Sequence, residues 1–532
     1  MHFVDILIIS VYLIGMVLLG LKFSKENQTA DDYFLASRSL PFFPIALSVI
    51  ARMVSAASFI GGPGGTYNEG VKYFMINANL PLVIFIASVV FVPFLYNLKV
   101  TSCYEYLRKR LGVKVQVLCG IGFLVTSIIL TGTMIYGPSM ILKALTGWDM
   151  AVIIPLLILI AIIYTLLGGI RAVIWSDAIQ LIVLWMGIML CIFTALRTLD
   201  TPADQILPTL IASGKLQGLN TQFDLTLDNG VWVSIFGIGL LHLQYFTCDQ
   251  SQVQRLFTSK SMKTMKKSFL LSGTIVNIQF ALFIFIGLLL FIKYDGAAFP
   301  DSNAVMIDFI INNIPVGIFG LILAAILAAT MSSIDSLLNS MSAVYINDIY
   351  SPLRKVDASK VDLKASQKIT VVFGVLIMLF TYFGLNGNTS ALLTMMGAYC
   401  SYITGSILGV FMLAMFTKTA NEKGALCGFT AGMICTLLVA KFTDVNWGWY
   451  NLVGVSACLI VGYIVSLCTK ERCSQEILDE FTFLGMRRKM IAEGRIKEDG
   501  VYIVPGSVDK SSFLLLGIFF LQFVILGFLH YL

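Results

Sequence analysis

Within "LAATMSSIDSLLNSMSAVYINDIY", residues 327–350, Ser332, Asp335 or Ser336, Asn339 and Ser342 recur at spacings of three and four in an otherwise apolar run. That spacing lines one face of a helix with oxygen. Small hard cations take oxygen ligands, so hydroxyls and a carboxylate at membrane depth can replace the water around Na+. A lone serine there is explained as well by a hydrogen bond to its own i−4 carbonyl or by close packing. The carboxylate tips the balance, because ionisable groups at membrane depth are costly and functional.

Other polar groups sit in comparable surroundings. Asp177, in "GGIRAVIWSDAIQLIVL", has Gln180 on its helical face, and either caps the helix start or serves an ion. Arg52, in "SVIARMVSAASF", reads as the one basic residue deep in a span. It can clamp a substrate carboxylate, reach an interface, or pair internally with Asp177 or Asp335, the last being the expectation. His242 and Tyr245, in "FGIGLLHLQYFTCDQ", are suited to hydrogen-bond or stack on a solute, or simply to pack.

The elements that carry these groups are read from composition. The chain has 532 residues, 58% hydrophobic and 12% charged, which marks a polytopic membrane protein. Apolar runs of about 17 to 25 residues cross a bilayer core as helices. Fourteen are expected, near 4–22, 41–67, 73–97, 116–141, 150–168, 173–196, 231–249, 268–292, 315–348, 369–385, 389–416, 423–440, 449–468 and 512–531. Two are interrupted: the second by Gly61, Gly62, Pro63, Gly64 and Gly65, the seventh around His242 to Asp249. Broken helices persist in lipid only where they line a protein-enclosed cavity. The five-segment offset between them predicts an inverted repeat of five plus five helices.

The chain therefore divides into 1–40, a leading helix and loop; 41–200, the first repeat; 201–230, an outer loop able to act as a partial lid; 231–416, the second repeat; and 417–532, extra helices with a cytoplasmic loop, 469–511. In that loop "CSQEILDEFTFLGMRRKM" forms either an amphipathic surface helix or an ordered linker. Basic clusters (Arg108 to Arg110; Lys263, Lys266 and Lys267; Arg354 and Lys355; Arg487 to Lys489) alternate to one side, which places both termini outside. The formal charge of +6 follows from this asymmetry and argues against nucleic-acid binding. The ten cysteines lack metal-ligand spacing and read as packing residues.

The motifs "TADDYFLASRSLPFFPIALSVIARMVSAASFIGGPGGTY", "KVTSCYEYLRKRLG", "YTLLGGIRAVIWSDAIQ", "QVQR" and "AAILAATMSSIDSLLNSMSAVYINDIY" resemble the sodium:solute symporter family over nearly the whole chain. The resemblance implies an all-α, leucine-transporter-like fold working by alternating access, with Na+ as coupling ion, no organic cofactor and no enzymatic activity. Its first sodium site falls on the carbonyls of Ala51, Val54 and Ala329 and the hydroxyls of Ser332 and Ser333. A second falls on Asp177, Ser332, Asp335 and Ser336, with Asp335 standing where a sialic acid symporter has serine. Substrate positions fall on Ser55, Ser58, Asn77, His242 and Tyr245, with Arg52 beside them; Leu130 occupies the place of the arginine that grips sialic acid.

A sugar or sugar-like organic acid is the expected solute, sialic acid included; a monocarboxylate or a proline-like amino acid is the alternative. A passive channel and a membrane sensor are the readings from other classes. A monomer in the cytoplasmic membrane, contacting lipid, Na+ and a small solute, is expected.

Overall fold

The structure, a computed structural model, describes residues 2–24, 30–357, 361, 363–385, 392–469 and 473–532. The expected segment start at 389 and residues 470–472 of the cytoplasmic loop lie outside them. Among the described residues eleven helices are long and apolar enough to cross a membrane, and Phe42–Met53, Met150–Ile163 and Val233–Thr247 are shorter apolar helices.

Helix α1 (Phe3–Ser24) leaves most of its surface exposed. Its Asp5, 2% exposed, accepts the N–H groups of Gly317 (2.8 Å) and Gly320 (3.0 Å), capping a helix that begins at Ile318.

The second segment breaks elsewhere than its glycines suggest. Helix α2 (Phe42–Met53) stops at Val54, which is extended, and α3 (Ala56–Glu69) restarts with the Ser55 hydroxyl accepting the Ser58 N–H. Gly61 to Gly65 are helical, corrected from the expected interruption. Their role is close approach: a Cβ on Gly64 would fall 1.8 Å from the Ser302 carbonyl oxygen, and one on Gly62 3.1 Å from Phe283.

Helix α4 (Leu80–Ile86) passes through a π turn into α5 (Val92–Asn97), followed by α6 (Cys103–Arg110) and α7 (Val113–Thr146). Then α8 (Met150–Arg197) covers two expected segments, divided at Gly169, whose φ of 57° and ψ of −165° suit glycine.

The seventh segment also outruns its expected end at 249. Helix α9 (Gly239–Thr247) breaks at Cys248 and Asp249, and α10 (Gln250–Phe257) continues with every residue buried. Long α11 (Met262–Lys293) and short α12 (Ser302–Asn313) pack on α3. The oxygen-bearing helix, α13 (Ile318–Val344), lies in the most enclosed of the described membrane-length spans and packs on α1, α7 and α8. Helices α14 (Leu363–Leu379), α15 (Leu392–Phe416), α16 (Glu422–Phe442) and α17 (Tyr450–Thr469) follow.

Two short helices, α18 (Gln475–Phe481) and α19 (Phe483–Ala492), and a hairpin of β1 (Lys497–Glu498) with β2 (Val501–Tyr502) precede α20 (Phe513–His530). This stretch is tied to α11 by a buried Lys266–Asp509 pair at 2.6 Å. The ten cysteines are all free thiols.

Candidate functional site

Two fully buried charges meet between the broken helices and α13. Arg255 on α10 pairs with Asp177 on α8, Nη2 to Oδ2, at 3.0 Å. Its Nε donates to the Ser48 hydroxyl at 2.7 Å, while its Nη2 also reaches Ser336 and its Nη1 the Ser251 carbonyl. Asp177 accepts the hydroxyls of Ser48 and Ser332, each at 2.5 Å, and of Ser336 at 3.5 Å. Asp335 accepts the Ser336 N–H at 2.6 Å and the Ser176 hydroxyl at 3.4 Å. The residues expected for a second sodium site, Asp177, Ser332, Asp335 and Ser336, are thus brought into one cluster.

The expected pairing of Arg52 with Asp177 or Asp335 is overturned: Arg255 holds Asp177, and among the described residues no ion pair joins Arg52 to either carboxylate. Arg52 is equally not the one basic residue at depth. Its side chain is 0% exposed, its Nε donates to the Ser251 hydroxyl at 3.2 Å, and its guanidinium carbon lies 5.5 Å from the Tyr245 ring centroid.

Of the residues expected at the first sodium site, Ala51 and Val54 lie at the end of α2, and Ala329, Ser332 and Ser333 lie on α13, which packs on α2. Among the described residues no backbone N–H donates to the Ala51 and Val54 carbonyls outside the helix. A helix end leaves such carbonyls open to a cation. On α13 the Ser333 hydroxyl donates to the Ala329 carbonyl at 3.2 Å, and Ser332 faces Asp177 one residue before it.

A cavity of about 320 Å³ opens beside both breaks, a volume suited to a small solute. Arg52, Ser58, Asn77, His242 and Tyr245 line it. Ser55 lies outside that lining, and its hydroxyl accepts the Ser58 N–H as the cap of α3. His242 Nδ1 is 2.7 Å from Asn79 Oδ1, and Asn79 also donates to the Ile76 carbonyl at 3.0 Å. Leu130 and Met134 of α7 make an apolar wall. At the outer end Asn229 donates to Glu69 at 2.8 Å and Lys215 to the Asn68 carbonyl at 2.6 Å, fastening the 201–230 loop to α3. Asp228 of that loop lines the cavity, and burial holds its carboxyl above the usual range.

Sequence reasoning missed Arg255, Ser48, Ser251 and Asn79. "QVQR" carried the signal for Arg255, since its buried glutamines and arginine continue a broken helix rather than begin a loop. Asn79 gave none, being one asparagine among several near a helix start.

The profile of the sodium:solute symporter family matches residues 33–432. A sodium/sialic acid symporter of Proteus mirabilis (strain HI4320), SiaT, is 30% identical over 474 residues, 87% of this chain and 95% of that protein. A solved Na+-coupled sialic acid symporter in a substrate-bound outward-open state superposes with a TM-score of 0.81 at 29% identity, covering 89% of this chain and 99% of that one. Mhp1, a nucleobase-cation-symport transporter, superposes with a TM-score of 0.54 at 14% identity over 84% of this chain and 97% of its own, a likeness of fold. The fold is accordingly the all-α, leucine-transporter-like one, and the chain belongs to the sodium:solute symporter family as a sodium-coupled symporter of an organic solute, not an enzyme.

Proposed function

We propose that this symporter imports a hydroxylated organic solute by alternating access, with Na+ bound at the carbonyls of Ala51, Val54 and Ala329 and the hydroxyls of Ser332 and Ser333. The observation that carries this is the end of α2 at Val54, which leaves open carbonyls where α2 packs on α13, the helix of Ser332 and Ser333. Ser58, Asn77 and His242 supply hydrogen bonds to solute hydroxyls from the cavity wall.

Coupling follows from geometry shared between two segments. An ion held by both α2 and α13 favours the conformation in which they are closest, and a ligand shifts such an equilibrium only through that difference in affinity. The five-helix units 41–200 and 231–416 then supply the moving and supporting parts. Asp177, Ser332, Asp335 and Ser336 form a second ion position, and Arg255 competes there as a tethered cation. The protein works as a monomer in the cytoplasmic membrane, both termini outside and the 469–511 stretch inside.

Uptake of a sugar and organic-acid panel into proteoliposomes, with Na+, K+ and proton gradients imposed separately, tests this. Saturable uptake requiring Na+ is expected. In Ser333→Ala the half-saturating Na+ concentration should rise by about tenfold, the loss of one ligand costing about 1.4 kcal/mol. Uptake following the proton gradient, or an unchanged Na+ dependence in the variant, would remove Ser333 from the ion site.

A further inference from the structure

We propose that Arg52 is the group that reads a carboxylate on the solute, so that the solute is a small hydroxylated monocarboxylate; this rests on the symport reading above.

Arg52 is the one arginine or lysine among the described residues that line the cavity. Its side chain is fully buried, yet among the described residues no carboxylate lies within ion-pair distance of it. Its Nη2 has no hydrogen-bond partner. A guanidinium is always charged and carries five N–H donors, so a buried one with an open nitrogen and no directly paired carboxylate is left short of both charge balance and hydrogen bonds. At membrane depth that condition is sustained by function rather than by packing.

The rest of the side chain is held as if to present that nitrogen. Ser251 accepts the Arg52 Nε–H, and Ser251 in turn donates, through both its hydroxyl and its backbone N–H, to Asp249. Asp249 is committed to capping α10 and reaches Arg52 only through that hydroxyl. The Tyr245 ring lies against the guanidinium, a contact that fixes its plane without neutralising it. With Nε anchored and one face covered, Nη2 is left for a ligand oxygen.

Among the described lining residues, Arg52 carries the positive charge that favours an anion. Leu130 and Met134 offer no charge, and the Thr126 hydroxyl is already donating to the Gly122 and Phe123 carbonyls. Asp249, Glu69 and Asp228 also line the cavity; Asp249 is engaged by Ser251, and Glu69 ends α3, about 20 Å of helix from its start beside Arg52. A solute with its acid group at Arg52 places its hydroxyls toward Ser58, Asn77 and His242. Arg52 also stands between Ala51 and Val54, whose carbonyls belong to the proposed ion site. A bound carboxylate beside that site strengthens Na+ binding, and by reciprocity Na+ strengthens binding of the acid.

The test is Na+-driven uptake into proteoliposomes of lactate, gluconate and N-acetylneuraminate, each paired with its carboxamide, alongside galactose. The expected result is uptake of at least one acid with its amide weaker by about thirtyfold or more. Arg52→Gln should lose that discrimination, and Arg52→Lys should keep part of it, while both retain stabilisation of the purified protein by Na+ against heating. Uptake of no acid, equal uptake of acid and amide, or unchanged acid uptake by Arg52→Gln would overturn the proposal. The acid–amide comparison uses the native chain and stands even where a variant fails to fold. Failure of Na+ to drive any uptake or to stabilise the native chain would instead strike the symport reading itself.

Discussion

Replacing Arg255 by Gln and Asp177 by Asn together should cost clearly less than the sum of the two single replacements. The pair is 0% exposed on both sides at 3.0 Å, and in Arg255→Gln alone Asp177 would keep its hydroxyl donors from Ser48, Ser332 and Ser336 but no cation. Breaking a buried pair from one side costs about 3–5 kcal/mol, because the remaining charge is uncompensated. In folding equilibrium that is roughly a hundredfold to several thousandfold. Asp177→Asn leaves the opposite charge, with Ser48, Ser251 and Ser336 still around Arg255, and should cost a similar amount. The double variant carries two amides able to bond to each other and to the same serines, so it should recover about 2–3 kcal/mol relative to the sum of the singles. Thermal unfolding of the three purified variants without Na+, with membrane abundance as a second readout, measures the cycle. A double variant destabilised by the full sum would refute ion pairing as the reason these two charges are buried together. Repeating the melts across a Na+ series adds an independent result, since loss of Asp177 should blunt stabilisation by Na+ if the second ion position is real.

Two further outcomes are expected. Gly64→Ala should destabilise the protein by about 1–3 kcal/mol by pushing α3 off the Ser302 carbonyl of α12, whereas Gly517→Ala on α20, where nothing lies within 4 Å, should leave the melting temperature unchanged. Equal effects would show that α3 and α12 are not in close contact. Burial raises the Asp228 carboxyl, so the folded chain holds that proton more tightly than the unfolded chain, and its contribution to stability declines as pH rises through the folded value. Asp228→Asn should remove that decline, which melting temperature followed from acidic to neutral pH will show; parallel curves would mean that Asp228 titrates normally.

The long apolar helices were legible because burial in lipid imposes one simple pattern over about 20 residues. The spacing from Ser332 to Ser342 was legible for a related reason: polar atoms inside an apolar run have few explanations. The break in the second segment was misplaced because Gly61 to Gly65 look like a helix stop in water. Between tightly packed membrane helices the same residues let backbones approach, as Gly64 does against Ser302. Val54 and Ser55, which do break the helix, have no unusual composition. Arg255 was overlooked for the opposite reason, since "QVQR" is polar enough to pass for a loop although all four residues are buried. Which basic residue faces Asp177 depends on how α2, α8 and α10 converge, and no local pattern encodes that.

The contact between Asp5 and the start of α13 joins residues 312 positions apart. During synthesis at about 5–20 residues per second, α1 is threaded into the membrane roughly 15–60 s before Gly317 leaves the ribosome. Throughout that interval its carboxylate has no N–H donors from α13. The contact that seats the start of α1 against α13 therefore forms late in synthesis, after most of the bundle has been made.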